Sequence, residues 1–110
     1  MKNATLFEDI YAVVRLIPIG RATSYGAIAK YLGMNRGARM VGWAMNGVSK
    51  TTDVPAHRVV NRLGLLTGRH HFVPPEKMQM LLETEGLEIE NHQIKNFDEV
   101  FWNPAEELEL

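Results

Sequence analysis

Cysteine is missing from this chain altogether. That absence excludes disulfides, thiolate metal sites and every thiol nucleophile. Serine is nearly missing: Ser24 and Ser49 are the two present. There is no G-x-S-x-G elbow, no G-x-G-x-x-G and no glycine loop for phosphate. No apolar run approaches the ~20 residues of a membrane span, so no membrane partner is expected. Met1 to Thr5 leads into an amphipathic pattern carrying Glu8 and Asp9 rather than into a signal segment, which points to the cytoplasm. Repeats, low-complexity tracts and Pro/Gly/Ser linkers are lacking, so 110 residues should form one domain. The adjacent His70 and His71 have no carboxylate or thiol near them in sequence, and no metal or cofactor is expected. Paired carboxylates for glycoside chemistry would have to come from the acidic tail, where no apolar setting would raise one pKa. An enzyme is hard to build from these parts.

What is present is an uneven distribution of charge. The net formal charge is only −1, with 45% apolar and 23% charged residues, as in a soluble globular protein. From Arg15 to His71, however, nine basic residues face the single acid Asp53, and from Phe72 to Leu110 ten acids face Lys77 and Lys95. The first segment is therefore +8 and the second −8. Such asymmetry suggests a basic face for a polyanion and an acidic face that the polyanion repels.

Apolar spacing predicts mostly α structure. Leu6, Ile10, Val13, Val14 and Ile17 recur at helical intervals, predicting a first helix from Thr5 to Leu16, capped by Asn3 or Thr5 and ended by Pro18 and Gly20. Thr23-Ser24 offers a cap for a second helix over 25–32, stopped by Gly33. Asn35 can cap a third over 36–46, closed by Gly47. A short helix, a glycine-containing turn and an arginine-led helix outline a helix-turn-helix. In that outline Arg36 and Arg39 share one face of the second helix of the motif, where DNA is usually met. Arginines at a helix start are mildly opposed by the dipole, so their presence asks for a reason. Trp43, one turn further on, fits either the core or a pocket. Pro74-Pro75 starts a fourth helix with Met78, Leu81 and Leu82 inward and Gly86 at its end; Glu85 in its last turn opposes the dipole and is expected to be held by a partner. Ile89, Ile94, Phe97, Val100, Phe101 and Trp102 read as a short hairpin or extended cover, and Pro104 to Leu110 as a frayed acidic end.

Between these elements lies Pro55-Ala56-His57-Arg58-Val59-Val60-Asn61-Arg62, a small apolar turn running into a charged segment. It fits a surface that meets an anion, or a buried strand with solvated ends.

Several ordered motifs share one resemblance. Ser24-Tyr25-Gly26, Ala38-Arg39-Met40-Val41-Gly42-Trp43-Ala44-Met45, Val54-Pro55-Ala56-His57-Arg58-Val59-Val60, Gly64, and Lys77 with Leu81-Leu82-Glu83-Thr84-Glu85-Gly86 resemble the DNA-binding domain of O6-alkylguanine-DNA alkyltransferases. The likeness runs from about Phe7 to Gly86. The implied fold is a mostly α, winged helix-turn-helix-like DNA-binding domain with a short C-terminal β element. In that family the turn reads Pro-Cys-His-Arg-Val, and its cysteine takes the alkyl group from a flipped guanine. Here Ala56 stands at that position. Alkyl transfer needs an activated thiolate, and a methyl side chain has no lone pair to offer. His57 and Glu85 match the family's base and its orienting carboxylate, a relay left without a thiol. The chain thus looks like an alkyltransferase-like protein, a subfamily that binds alkylated DNA without repairing it and passes the lesion to nucleotide excision repair. Those proteins often carry tryptophan where Ala56 stands, so alanine would leave a roomier floor.

The same resemblance assigns roles. Arg39 resembles the arginine finger that enters through the minor groove and fills the gap left by the flipped base, and Tyr25 the tyrosine that crowds the 3′ phosphate. Flipping costs a few kcal/mol, less for a poorly paired base. Arginine's planar cation can stack and hydrogen-bond in the gap. The expected DNA-binding set is Tyr25, Arg36, Arg39, Arg58 and Arg62, with Arg58 equally able to make a salt bridge within the fold. The expected lesion pocket is Tyr25, Trp43, Pro55, Ala56, Val59 and Arg69, with the loop from Leu63 to Phe72 holding the base. The asparagine that follows the second helix in the family has no clean counterpart: Asn46 comes early and Val48 stands near its place.

Three readings stay open from sequence. The first is a non-enzymatic protein, a monomer, that binds double-stranded DNA containing O6-alkylguanine and recruits nucleotide excision repair proteins. The second is an alkyltransferase whose nucleophile has been replaced by Ala56, and the third is a winged-helix regulator of ordinary duplex DNA. The short chain, with no other cysteine and no N-terminal domain, favours the first over the second.

Overall fold

The computed structural model describes residues 2–48 and 53–108, with side chains from Leu6 onward. The order is α1 (Lys2–Arg15), β1 (Thr23–Ser24), α2 (Tyr25–Tyr31), α3 (Ala38–Asn46), a 3-10 turn (Ala56–Arg58), β2 (Val59–Val60), a second 3-10 turn (Thr67–His71), α4 (Lys77–Thr84), β3 (Ile89–Glu90), β4 (Gln93–Ile94) and the single-turn helices α5 (Phe97–Val100) and α6 (Pro104–Glu107). The fold is mostly α, with a helix-turn-helix formed by α2 and α3 and a small hairpin, β3–β4, near the C-terminus.

Two apolar clusters hold these elements. Ile10, Val13, Val14 and Ile17 from α1 and the residues after it meet Ile28, Ala29, Val41 and Ala44 from the helix pair. Val60, Leu66, Met78 and Leu82 form the second cluster beneath the hairpin. The strand joining them is short: β1 pairs in parallel with β2, Thr23 opposite Val59 and Ser24 opposite Val60. Both residues of each strand are buried, so the pairing has no alternating pattern.

The sequence-based boundaries need four corrections. Helix α1 starts at Lys2, ahead of Thr5, and ends at Arg15. Helix α2 starts as expected, with Ser24 Oγ accepting from the Ala27 amide at 3.1 Å, but the cap expected for α3 fails. The N-cap of α3 is Gly37, without a side-chain cap, and Arg36 stands outside the helix in a left-handed conformation, φ 56°. The cause is close approach of the two helices: a Cβ on Gly37 would lie 2.6 Å from Met34 Cβ and 3.0 Å from Ala29 Cβ. The chain makes this turn with Arg36 in the left-handed region, where a non-glycine residue carries a steric cost. Third, Pro74-Pro75 form a turn ahead of α4, whose first residue is Lys77 with its amide on Pro74 O at 2.9 Å.

The fourth correction concerns the tail. Beyond the hairpin, Asn96 adopts φ 53° and turns the chain into α5 in place of an extended cover. Phe101 then bridges Ala22, and the Trp102 amide donates to Ala22 O at 2.8 Å. Residues 104–107 are ordered as α6 and not frayed: Asn103 Oδ1 accepts from the Ala105 amide at 3.1 Å, and Pro104 is buried. Glu109 and Leu110 lie outside the described residues, as do Ser49 and Lys50. Among the described residues no helix is long and apolar enough to cross a membrane.

Candidate nucleic-acid interface

The stretch from Pro55 to Val60 enters as one tight turn. Ala56 N donates to Val54 O at 2.8 Å and Arg58 N to Pro55 O at 3.0 Å, closing the 3-10 turn; Val59 then enters the core at 1% exposure. The turn divides its side chains between a cavity and an ion-paired interior. Ala56 and His57 line a cavity of about 440 Å³. Arg58 points inward.

The inward side of the turn is an ion-pair knot around Glu85. Arg58 Nη2 lies 2.9 Å from Glu85 Oε2, and Arg58 Nε is 3.1 Å from each carboxylate oxygen. Arg58 Nη1 donates to Ile17 O at 2.8 Å. His57 Nε2 lies 2.7 Å from Glu85 Oε2, and the Gly20 amide donates to Oε1 at 3.0 Å. Glu85 is the C-cap of α4, a position where a carboxylate opposes the dipole. Its surroundings reverse that penalty. Burial pushes its pKa up, but the Arg58 guanidinium, the Gly20 amide and His57 outweigh it and hold the carboxyl at about 2. Burial lowers the pKa of His57, and Arg58 adds to this, while Glu85 only partly restores it. His57 is therefore favoured neutral. With Nε2–H donated to the carboxylate, its other nitrogen is left as an acceptor.

The cavity is lined by Met45, Asn46 and Val48 after α3, by Val54, Ala56 and His57 at the turn, by His71, Phe72 and Val73 after the second 3-10 turn, and by Lys77 and Leu81 of α4. Of the six residues expected around a pocket, Ala56 lines it and Pro55 precedes it in the turn. Val59 is in the core. Arg69 turns away: Nη1 donates to Leu66 O at 3.0 Å, and the residue borders a separate small cavity with Pro75, Glu76 and His92. Tyr25 packs against the first core cluster, its hydroxyl against the second 3-10 turn, where a Cβ on Gly68 would come within 2.9 Å of Oη. Trp43 is 54% exposed, so it belongs to neither core nor cavity.

The expected DNA-binding residues separate in the same way. Arg39 on α3, Arg36 in the turn before it and Arg62 in the turn after β2 are exposed. Arg58 is committed to Glu85, and its side chain is 13% exposed. Along α3, Arg39, Trp43 and Asn46 are all exposed, while Val41 and Ala44 are fully buried behind them. A helix places such residues in one stripe, which here runs from the arginine to the cavity mouth at Asn46.

Sequence reasoning missed most of the cavity wall. Asn46 and Val48, the two positions near the family asparagine, both border the cavity. Lys77 and Leu81 belong to the family-like Lys77 to Gly86 segment, yet no spacing rule sets α4 beside residues 45–48. His71, Phe72 and Val73 follow a turn whose course depends on contacts distant in sequence.

Residues 5–87 match the family described as "6-O-methylguanine DNA methyltransferase, DNA binding domain". The chain is 35% identical over 108 residues to alkyltransferase-like protein 1 of Schizosaccharomyces pombe, covering 94% of this chain and 100% of that one. It is 32% identical over 102 residues to the DNA base-flipping protein of Escherichia coli, covering 93% of this chain and 78% of the relative. Among solved structures, S. pombe Atl1 in complex with damaged DNA containing O6-carboxymethylguanine superposes with a TM-score of 0.82 at 36% identity, covering 92% of this chain and 97% of that one.

Proposed function

The chain belongs to the family of 6-O-methylguanine DNA methyltransferase DNA-binding domains, on its alkyltransferase-like side, and from that premise we propose that it recognises O6-alkylguanine in duplex DNA without removing the alkyl group. One observation carries the reading: Ala56, a methyl side chain, stands at the cavity wall beside a His57–Glu85 pair that has no nucleophile to serve. A base that enters this cavity meets a surface able to hold it and unable to accept its alkyl group.

The proposed sequence of events uses the exposed stripe of α3. The basic residues draw in the duplex. Arg39 enters the groove and occupies the gap as the damaged nucleotide turns out, offsetting part of the unstacking cost. Tyr25 crowds the neighbouring phosphate. Arg36 and Arg62 contact phosphates, and Arg58 supports the turn through Glu85. The retained lesion, held by a bound protein, is then handed to nucleotide excision repair. The solved complex of S. pombe Atl1 with damaged DNA supports the choice of DNA partner, and the name of the Escherichia coli relative supports flipping.

Flipping is tested by a fluorescent purine analogue beside the lesion, which brightens as its neighbour leaves the stack. Addition of protein should raise its emission in O6-methylguanine duplex and much less in the unmodified one. Equal emission from both duplexes would rule out lesion-driven flipping.

A further inference from the structure

On the reading that the cavity receives the flipped base, we infer that it favours O6 adducts whose alkyl group ends in a negative charge. Among the described residues four of its lining side chains are polar: Asn46, His57, His71 and Lys77. None is a carboxylate. Glu85 bonds to His57 and has its charge matched by the chelating Arg58, and Asp53, next to Val54 in the chain, is paired with Arg15.

Among the described residues Lys77 is the lysine of the wall, and it is without an ion-pair partner. Three arginines are by contrast engaged: Arg15 with Asp53, Arg21 with the carbonyls of Val100 and Phe101, and Arg58 with Glu85. Among the described residues no acid lies within ion-pair distance of Lys77. Lysine is a compact charge on a flexible stem with three donors, so its ammonium can turn to a group at the end of an adduct. His71, at the end of the second 3-10 turn, adds another nitrogen-bearing side chain to the wall.

The physical basis is the difference between a charge at the protein and a charge in water. A pair of unit charges ~4 Å apart gains roughly four times more near a protein surface than in bulk water. The cavity is large enough for selection by the end of the adduct: at about 440 Å³ it falls within the ~300–1,000 Å³ range of small-molecule sites. With only a methyl group at residue 56, that part of the wall leaves room for a longer substituent. A neutral adduct of the same shape would fill the same space and leave the ammonium to water.

The test uses three duplexes of one sequence at fixed salt, carrying guanine, O6-carboxymethylguanine, or its neutral amide O6-carbamoylmethylguanine. The carboxylate duplex is expected to bind roughly five- to tenfold more tightly than the amide. Lys77→Met should bring that ratio close to one, and His71→Gln should reduce it less. Equal affinity for the two adducts, with both above guanine, would overturn the charge preference while leaving lesion capture intact. Equal loss on both adducts in Lys77→Met would likewise overturn it, as general attraction to phosphate. Failure of both adducts to bind better than guanine would remove the preference together with the reading beneath it.

Discussion

His57 Nε2 lies 2.7 Å from Glu85 Oε2 across 28 residues of chain, one position beyond an alanine. The pair joins the turn to the C-terminal end of α4, and Arg58 closes on the same carboxylate. The acid range should therefore unfold this protein. Glu85 is held at about 2 against an ordinary 4.5, and His57 is held below its ordinary 6.5. In both cases the unfolded chain binds more protons than the folded one, so stability is present above the unfolded pKa and falls as pH drops. The thermal midpoint should be level above pH 6.5, decline below it, and decline further below 4.5. Glu85→Gln should lower the midpoint at neutral pH and flatten the limb below 4.5; an unchanged slope there would exclude Glu85 as its source.

Arg58→Ala leaves the Glu85 carboxylate with only His57 and the Gly20 amide. Removing one partner of a largely buried pair costs roughly 3 kcal/mol. Denaturant unfolding should show a loss near that size. A change under about 0.5 kcal/mol, the scale of an ordinary surface substitution, would mean that the knot contributes little.

Ala56→Trp should fill the wall of the cavity between Val54 and His57. Binding of duplex with O6-benzylguanine is expected to weaken more than binding of duplex with O6-methylguanine. Competition assays with the two lesions measure the ratio, and an equal effect would place residue 56 away from the alkyl group.

Arg39→Ala should cost lesion binding about tenfold or more, as loss of a groove contact of roughly 1–3 kcal/mol predicts. Arg62→Ala should cost less and act equally on damaged and undamaged DNA, with a shallower salt dependence. Identical effects of the two variants would reduce Arg39 to a phosphate contact.

The two tryptophans separate the interface from the core without labelling. Trp43 is 54% exposed and Trp102 is 3% exposed. If the α3 stripe meets DNA, duplex should protect Trp43 from acrylamide and leave the emission of Trp102 unchanged, so Trp43→Phe should abolish the protection. Quenching unaltered by saturating duplex would turn the stripe away from DNA.

What the sequence disclosed depended on the range of the interaction. The Ser24 cap and the helix that follows are local, and local rules found them. Glu85 at the end of α4 opposes the dipole, which signalled a partner, but that Arg58 and His57 were both partners required the fold. Arg36 looked helical because helix spacing takes no account of Gly37, whose lack of a side chain permits the close turn. The tail misled for a different reason: apolar positions 94, 97, 100 and 101 suit a helical turn and an extended cover alike. Two-residue strands such as β1 and β2 are too short to carry a period at all. The motif around Ala56 was legible, whereas most of the cavity beside it is assembled from segments distant in sequence.

The most direct measurement is a paired one: affinity for a duplex with a single O6-methylguanine against its unmodified twin, followed by a methyl balance on DNA and protein. The damaged duplex should bind more tightly, and every methyl group should remain on the DNA. Equal affinity, or a protein that gains the mass of a methyl group, would contradict recognition without repair.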